Sequence, residues 1–278
     1  MHSVVAALDG PTKTGKTRFA KEVEAAAKAS GRIARANHGR QLETPSFNEI
    51  KTISAGNMFR AAAYLIKLEE ERNRIKTKFV DGDTDRLREI LQTEGIYHTL
   101  QTDPEVGRRV SPAAKLPGVQ KLCGSLFCDA IVEAYNKDGA LVLADARNPC
   151  GIMDRNNILG DPIAPASIIP IHSSTPANIA AQRQAGDYKT WFDEITERRE
   201  IDKSRPEYPV HPPSHLIADL AVWSAQFEDI TPETGLVVAY DFDNGENTSP
   251  EALKSFAEHV AALALGVGSR LDQLNAMA

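Results

Sequence analysis

Residues Gly10, Pro11, Thr12, Lys13, Thr14, Gly15, Lys16 and Thr17 match the pattern G-x-x-x-x-G-K-[ST] without a mismatch. The pattern constrains the fold because it works only between a strand and a helix. Residues 3–8 are short, β-branched and continuously apolar, as a buried parallel strand should be. Residues 18–28 are rich in good helix formers. In such a loop the backbone N–H groups surround a β-phosphate at a helix N-terminus, where the macrodipole also favours an anion. Lys16 would bridge the β- and γ-phosphates, and Thr17 would hold Mg²⁺ through its hydroxyl. The sequence therefore predicts binding of a nucleoside triphosphate.

Alternating apolar runs and amphipathic stretches predict an α/β domain with a parallel sheet. Strands are expected at residues 3–8, 50–54, 140–145, 167–172 and 236–240. Helices are expected at 57–74, 85–91, 118–136, 176–185 and 188–204, with a closing helix from Pro250 to near residue 265. Pro170 would remove a ladder hydrogen bond, which predicts a bulge or a shifted boundary there. Residues 31–48 and 93–117 read as irregular, and 206–235 as a long connection with a short element around 216–223.

Composition bounds the function. Hydrophobic residues make up 42% of 278, enough for a substantial core. A net charge of −6 argues against a general nucleic-acid or membrane-surface binder. Three cysteines, Cys123, Cys128 and Cys150, cannot all pair and lack a metal-ligand spacing with histidine, so reduced thiols are expected. No signal peptide or apolar span of membrane length is recognised, and the expectation is a cytoplasmic protein. The histidines are scattered and read as structural.

Three further groups point to a second substrate. Gly56 and Arg60 follow the second expected strand, where a glycine lets backbone approach a ligand. Asp145, Arg147 and Asn148 stand at the end of the third, and ligands in open α/β sheets bind beyond strand C-termini. Arg198, Asp202 and Arg205 fall on one helical face at spacings of four and three. Phosphoryl transfer uses several cations around two polyanions, because charge spreads over the equatorial oxygens in the transition state.

In this order the motifs resemble those of the bacterial-type cytidylate kinases, a family of nucleoside monophosphate kinases. That signature runs phosphate loop, D-T-G-A-M-Y-R, D-G-R-D, then R-x-x-x-D-x-x-R near a lid. Residues 10–17, 54–60, 145–148 and 198–205 stand in those places here. The resemblance implies a P-loop NTPase fold, three-layer αβα with a parallel five-stranded sheet. It implies one kinase domain over 1–278, with an acceptor-binding insertion at 57–117 and a short lid at 176–205. It further implies transfer of the γ-phosphoryl of ATP to CMP, dCMP or UMP, with Mg²⁺, in a monomer that works on small-molecule nucleotides.

By the same resemblance Arg60 and Arg147 bind the acceptor phosphate, and Arg198 serves the phosphates on closure. Asp202 and Arg205 would engage the acceptor's ribose or phosphate. Ser111 would contact the base beside Gln120 and Asn148, and Arg183 would reach the donor. The departures matter. Lys13 replaces a glycine, Asn148 an aspartate and Gln120 an arginine, while Ile179 and Ala181 occupy two lid-arginine places. Asn148 can accept or donate a hydrogen bond, so the pocket loses its strict discriminator for cytosine. A phosphotransferase for a modified nucleotide or another small phosphate acceptor, or an ATP-binding regulatory module with little turnover, are the alternative readings.

Overall fold

The computed structural model describes residues 2–11, 13–37, 46–164, 167–203, 240–243 and 249–277. The chain divides into two compact units, residues 1–53 with 131–278, and residues 54–130.

The first unit is built on a sheet. Its strands are β1 (Val4–Asp9), β2 (Glu49–Ser54), β3 (Ala140–Asp145), β4 (Ile168–Ser174) and β5 (Tyr240–Asp243). They lie in the order β2-β3-β1-β4-β5, and β3, β1, β4 and β5 run parallel. Parallel strands need long crossovers, and helices supply them. Helix α1 (Lys16–Asn37) follows the first loop. Five more helices belong to the helix-rich middle of the chain: α2 (Ala55–Glu71), α3 (Asp83–Gln92), α4 (Ile96–Thr102), α5 (Pro104–Ala114) and α6 (Val119–Tyr135). Then come α7 (Pro149–Arg155), α8 (Ala177–Gln182), α9 (Tyr188–Lys203) and the closing α10 (Pro250–Met277).

Every residue of β1 and β3 is buried, which explains why both read as unbroken apolar runs rather than alternating ones. On one face Val4, Ala6 and Leu8 pack with Leu141 and Leu143 against α1 and α10. Phe19 of α1 stacks on Phe256 of α10 with ring centroids 5.3 Å apart. On the other face Val5, Ala7, Val142 and Ala144 are equally buried. There α7 lies against β1, and Tyr135 at the end of α6 hydrogen-bonds Ser167 before β4. Apolar cover on both faces of a parallel sheet is consistent with a three-layer αβα arrangement.

The second unit is helical. Helix α2 packs on α3, α4 and α5, and its stripe of Ala61, Ala62 and Leu65 is fully buried. Ion pairs tie its turns together: Glu69 with Arg86, Lys67 with Asp103 at 2.7 Å, and Lys76 with Asp83 at 2.9 Å.

Several expectations are corrected. Residues 93–117 are not irregular: they carry α4 and α5. Asp103 accepts the N–H groups of Glu105 (2.8 Å) and Val106 (3.3 Å), and Pro104 sits in the first turn, so these turn-forming residues start a helix. Residues 31–37 continue α1 instead of opening a surface excursion, and α10 runs on to Met277. Pro170 makes no bulge. It stays in register opposite Ala7 on the β1 side. The fifth strand is seen at Tyr240–Asp243, while residues 206–235 and 236–239 lie outside the described residues. All three cysteines are buried, and burial pushes the Cys128 thiol up to about 12.

Candidate functional site

The chain leaves β1 toward β2 on one side and leaves β4 toward β5 on the other. Where neighbouring strands send their connections apart, a crevice opens beyond their carboxyl ends. In this unit that point is at the ends of β1 and β4, where Gly10, Pro11 and residues 13–15 follow β1.

Contacts to β4 and to Asp9 hold the loop. Gly10 has φ +131, and a Cβ at this position would come within 2.2 Å of the Ser173 carbonyl oxygen. Only glycine fits so close an approach. Ser173 and Thr175 donate their hydroxyls to the Thr14 carbonyl at 3.0 and 3.4 Å, and Thr14 itself is buried. The Gly10 N–H donates to Asp9 Oδ1 at 2.6 Å, and Asp9 Oδ2 lies 3.2 Å from His172 Nδ1. Asp9 and His172 are both buried, so this pair braces the loop from beneath.

The half-buried Lys16 turns its ammonium back over the loop, donating to the carbonyls of Gly10 at 2.6 Å and Pro11 at 3.0 Å. Burial pushes its pKa below the ordinary lysine value. Asp145 and Asp9 oppose that shift, while the charges of Arg147 and Arg199 add to it. Desolvation is therefore the main cost of the Lys16 charge, and an incoming anion would offset it.

Beside Lys16 the Thr17 hydroxyl donates to Asp145 Oδ2 at 3.2 Å, and Asp145 is buried. A hydroxyl and a carboxylate are hard oxygen donors. Mg²⁺ takes one or two of these from protein and completes its octahedron with waters and substrate phosphates. The pair fits that ion. No group of three or more His, Cys, Asp and Glu side chains able to hold a metal occurs among the described residues.

The remaining expected site residues fall as follows. Lys13 stands at φ +61, the left-handed conformation that explains why glycine is the easier residue there. Arg147 is half-buried just after β3. Asn148 is buried at the N-cap of α7, where its Oδ1 accepts the Gly151 N–H at 2.9 Å. Arg183 is exposed at the end of α8. Arg198 pairs with Glu194 one turn earlier at 2.6 Å. Nothing is described of the Asp202 side chain, and Thr12 and Arg205 lie outside the described residues.

In the helical unit the Arg60 guanidinium folds back along α2. A Cβ on Gly56 would stand 3.2 Å from its Nη1, so the glycine leaves room for the group. Ser111 is half-buried in α5. Gln120 donates its amide N–H to the Ala114 carbonyl at 3.1 Å and so closes the end of α5.

Sequence reasoning missed Asp9, His172, Ser173 and Arg199. Asp9 could have been found as an acid directly before the first loop glycine. Arg199 gives no such signal, because the four-and-three spacing with Asp202 and Arg205 points to its neighbour Arg198. One residue turns a helical side chain by about 100°; Arg198 and Arg199 are both half-buried, but Arg198 pairs with Glu194 while burial lowers the Arg199 pKa. Comparison of the chain with protein-family models and with curated proteins finds no match.

Proposed function

We propose that the protein is a P-loop phosphotransferase that moves the γ-phosphoryl of ATP to a nucleoside monophosphate, with a pyrimidine acceptor favoured. The observation that carries this reading is the Thr17–Asp145 hydrogen bond beside Lys16 on a glycine-braced loop. A hydroxyl from the loop and an acid from the end of a neighbouring strand are the two protein groups that hold Mg²⁺ in such sites.

In this reading the main-chain N–H groups of residues 13–17 and the start of α1 bind the donor's phosphates. Lys16 exchanges its loop carbonyls for phosphate oxygens. Thr17 and Asp145 would hold Mg²⁺, which when bound would neutralise phosphate charge. An anionic oxygen of the acceptor phosphate attacks the γ-phosphorus as the bond to the β–γ bridging oxygen breaks, and ADP leaves. That attacking oxygen carries no proton, so no general base is required. Arg147 and Arg199 stabilise the charge spread over the transferred group. Arg199 takes the role that the sequence had given to Arg198. The helical unit, with Arg60 held over Gly56, is proposed as the carrier of the acceptor.

A coupled assay of ADP release across CMP, dCMP, UMP, AMP and GMP tests the proposal. Stimulation by a pyrimidine monophosphate is expected, and no stimulation by any of the five would overturn it. One observation favours a second reading in which the acceptor is another small phosphate compound. Asn148 and Gln120, expected to face a base, are engaged in holding α7 and α5. A thermal-shift panel of nucleotides and sugar phosphates separates the two, since a ligand stabilises the fold according to its occupancy.

A further inference from the structure

Lys13 connects the loop to a different part of the same unit. Its ammonium donates to Gln184 Oε1 at 3.0 Å and lies 4.9 Å from the centroid of the Trp191 ring. Both partners belong to the α8–α9 segment. Gln184 donates in turn to the Ala180 carbonyl at 3.2 Å, and the Trp191 indole N–H donates to the Ala185 carbonyl at 2.7 Å. Trp191 packs on a small apolar cluster of Ala180, Ala181 and Ile195 that holds α8 against α9. An exposed side chain on the crest of the loop is therefore bonded to the side chains that organise this helix pair.

The contact combines two features. The backbone of Lys13 is left-handed, a conformation that a residue with a side chain keeps only when its surroundings favour it. Among the partners of the ammonium are a neutral amide and an aromatic face, both weaker for a cation than an ionised oxygen. A polyphosphate seated on residues 10–17 brings several such oxygens close to the same backbone.

We propose that Lys13 couples occupancy of the loop to the α8–α9 segment. Bound phosphate draws the ammonium from Gln184 and Trp191, and the helix pair is thereby uncoupled from the loop. Lys13 acts on this segment as a positioning residue, and the inference rests on reading the loop as a phosphate site.

The chain has two tryptophans, so Trp223→Phe leaves Trp191 as the sole indole. That variant is titrated with Mg²⁺ and a non-hydrolysable ATP analogue, and separately with inorganic tripolyphosphate. Indole emission and heat of binding are followed together. The expected result is an emission change that saturates with the heat. In Trp223→Phe with Lys13→Met, emission without ligand should already differ from the parent and should not respond at full occupancy, whatever the affinity. Should Trp223→Phe fold poorly, the response of the unaltered chain minus that of Trp191→Phe supplies the same signal. Heat without an emission change, or an equal change in the Lys13→Met protein, overturns the coupling alone. No heat with either ligand overturns the phosphate-site reading and the coupling with it.

Discussion

Gly10 shows how much a single atom can decide. A methyl group there would meet the Ser173 carbonyl at 2.2 Å in a conformation that side chains rarely adopt. Gly10→Ala should therefore cost about 2 kcal/mol or more of stability and displace the loop, read as a lowered melting temperature with lost nucleotide binding. The two adjacent arginines give a sharper contrast. Burial pushes the Arg199 pKa down, and its charge acts on Lys16, whereas Arg198 sits in an i,i+4 pair with Glu194. Removing one charge-stabilising group from a site typically lowers turnover by about 10²–10³-fold. Arg199→Ala is expected to fall in that range, while Arg198→Ala should lose less than about tenfold because a half-exposed i,i+4 helix pair contributes little. Steady-state kcat measured on the two variants distinguishes them.

At the level of elements, apolar runs made β1, β3 and β4 readable, because strands buried on both faces have no other pattern to show. The glycine loop and its flanking strand and helix were legible for the same reason: each local signal agreed with the next. Helices α4 and α5 were not. Gly95, Asp103 and Pro104 are turn residues, and nothing local tells whether such a residue interrupts a chain or caps a short helix. Site residues show the same division. Main-chain roles at Gly10 and Gly15 were readable from spacing, but which of two adjacent arginines on α9 carries a charge felt at Lys16 depends on tertiary packing that spacing does not encode. Asn148 illustrates an ambiguity that structure resolves differently from sequence, since its side chain caps α7. Asn148→Ala should cost about 1 kcal/mol of stability. Asn148→Asp should leave the melting temperature nearly unchanged, because aspartate caps as well. If Asn148 faced a base, that second variant would also shift preference between CMP and UMP, and the coupled assay would register it.

Among the described residues, several lowered carboxyls sit in ion pairs of the helical unit. Hydrogen bonding to Arg86 holds the Glu69 carboxyl below its ordinary range, and Lys67 does the same for Asp103. Asp83 is also lowered: burial alone would raise it, but hydrogen bonds from Lys76 and the Val80 N–H outweigh that. All three lie within residues 54–130. A carboxyl whose folded pKa is depressed stabilises the fold fully above its unfolded value, near 4, and that contribution fades as pH falls through the folded value. Asp187 and Glu251 of the first unit are lowered too, but by hydrogen bonds within their own turns rather than between elements. Acid should therefore loosen the helical unit before the sheet. Hydrogen exchange followed from pH 7 down to about pH 3 is expected to accelerate first in residues 54–130, and Glu69→Gln should flatten that dependence. No helix among the described residues is long and apolar enough to cross a membrane. The burial of all three cysteines has a practical corollary. Thiol-directed dyes should leave the native protein unlabelled, so a cysteine introduced at the exposed Tyr188 would give one uniquely addressable attachment point. A fluorophore or spin label placed there would report on the segment beside the loop without any need to strip the chain of its own sulfur.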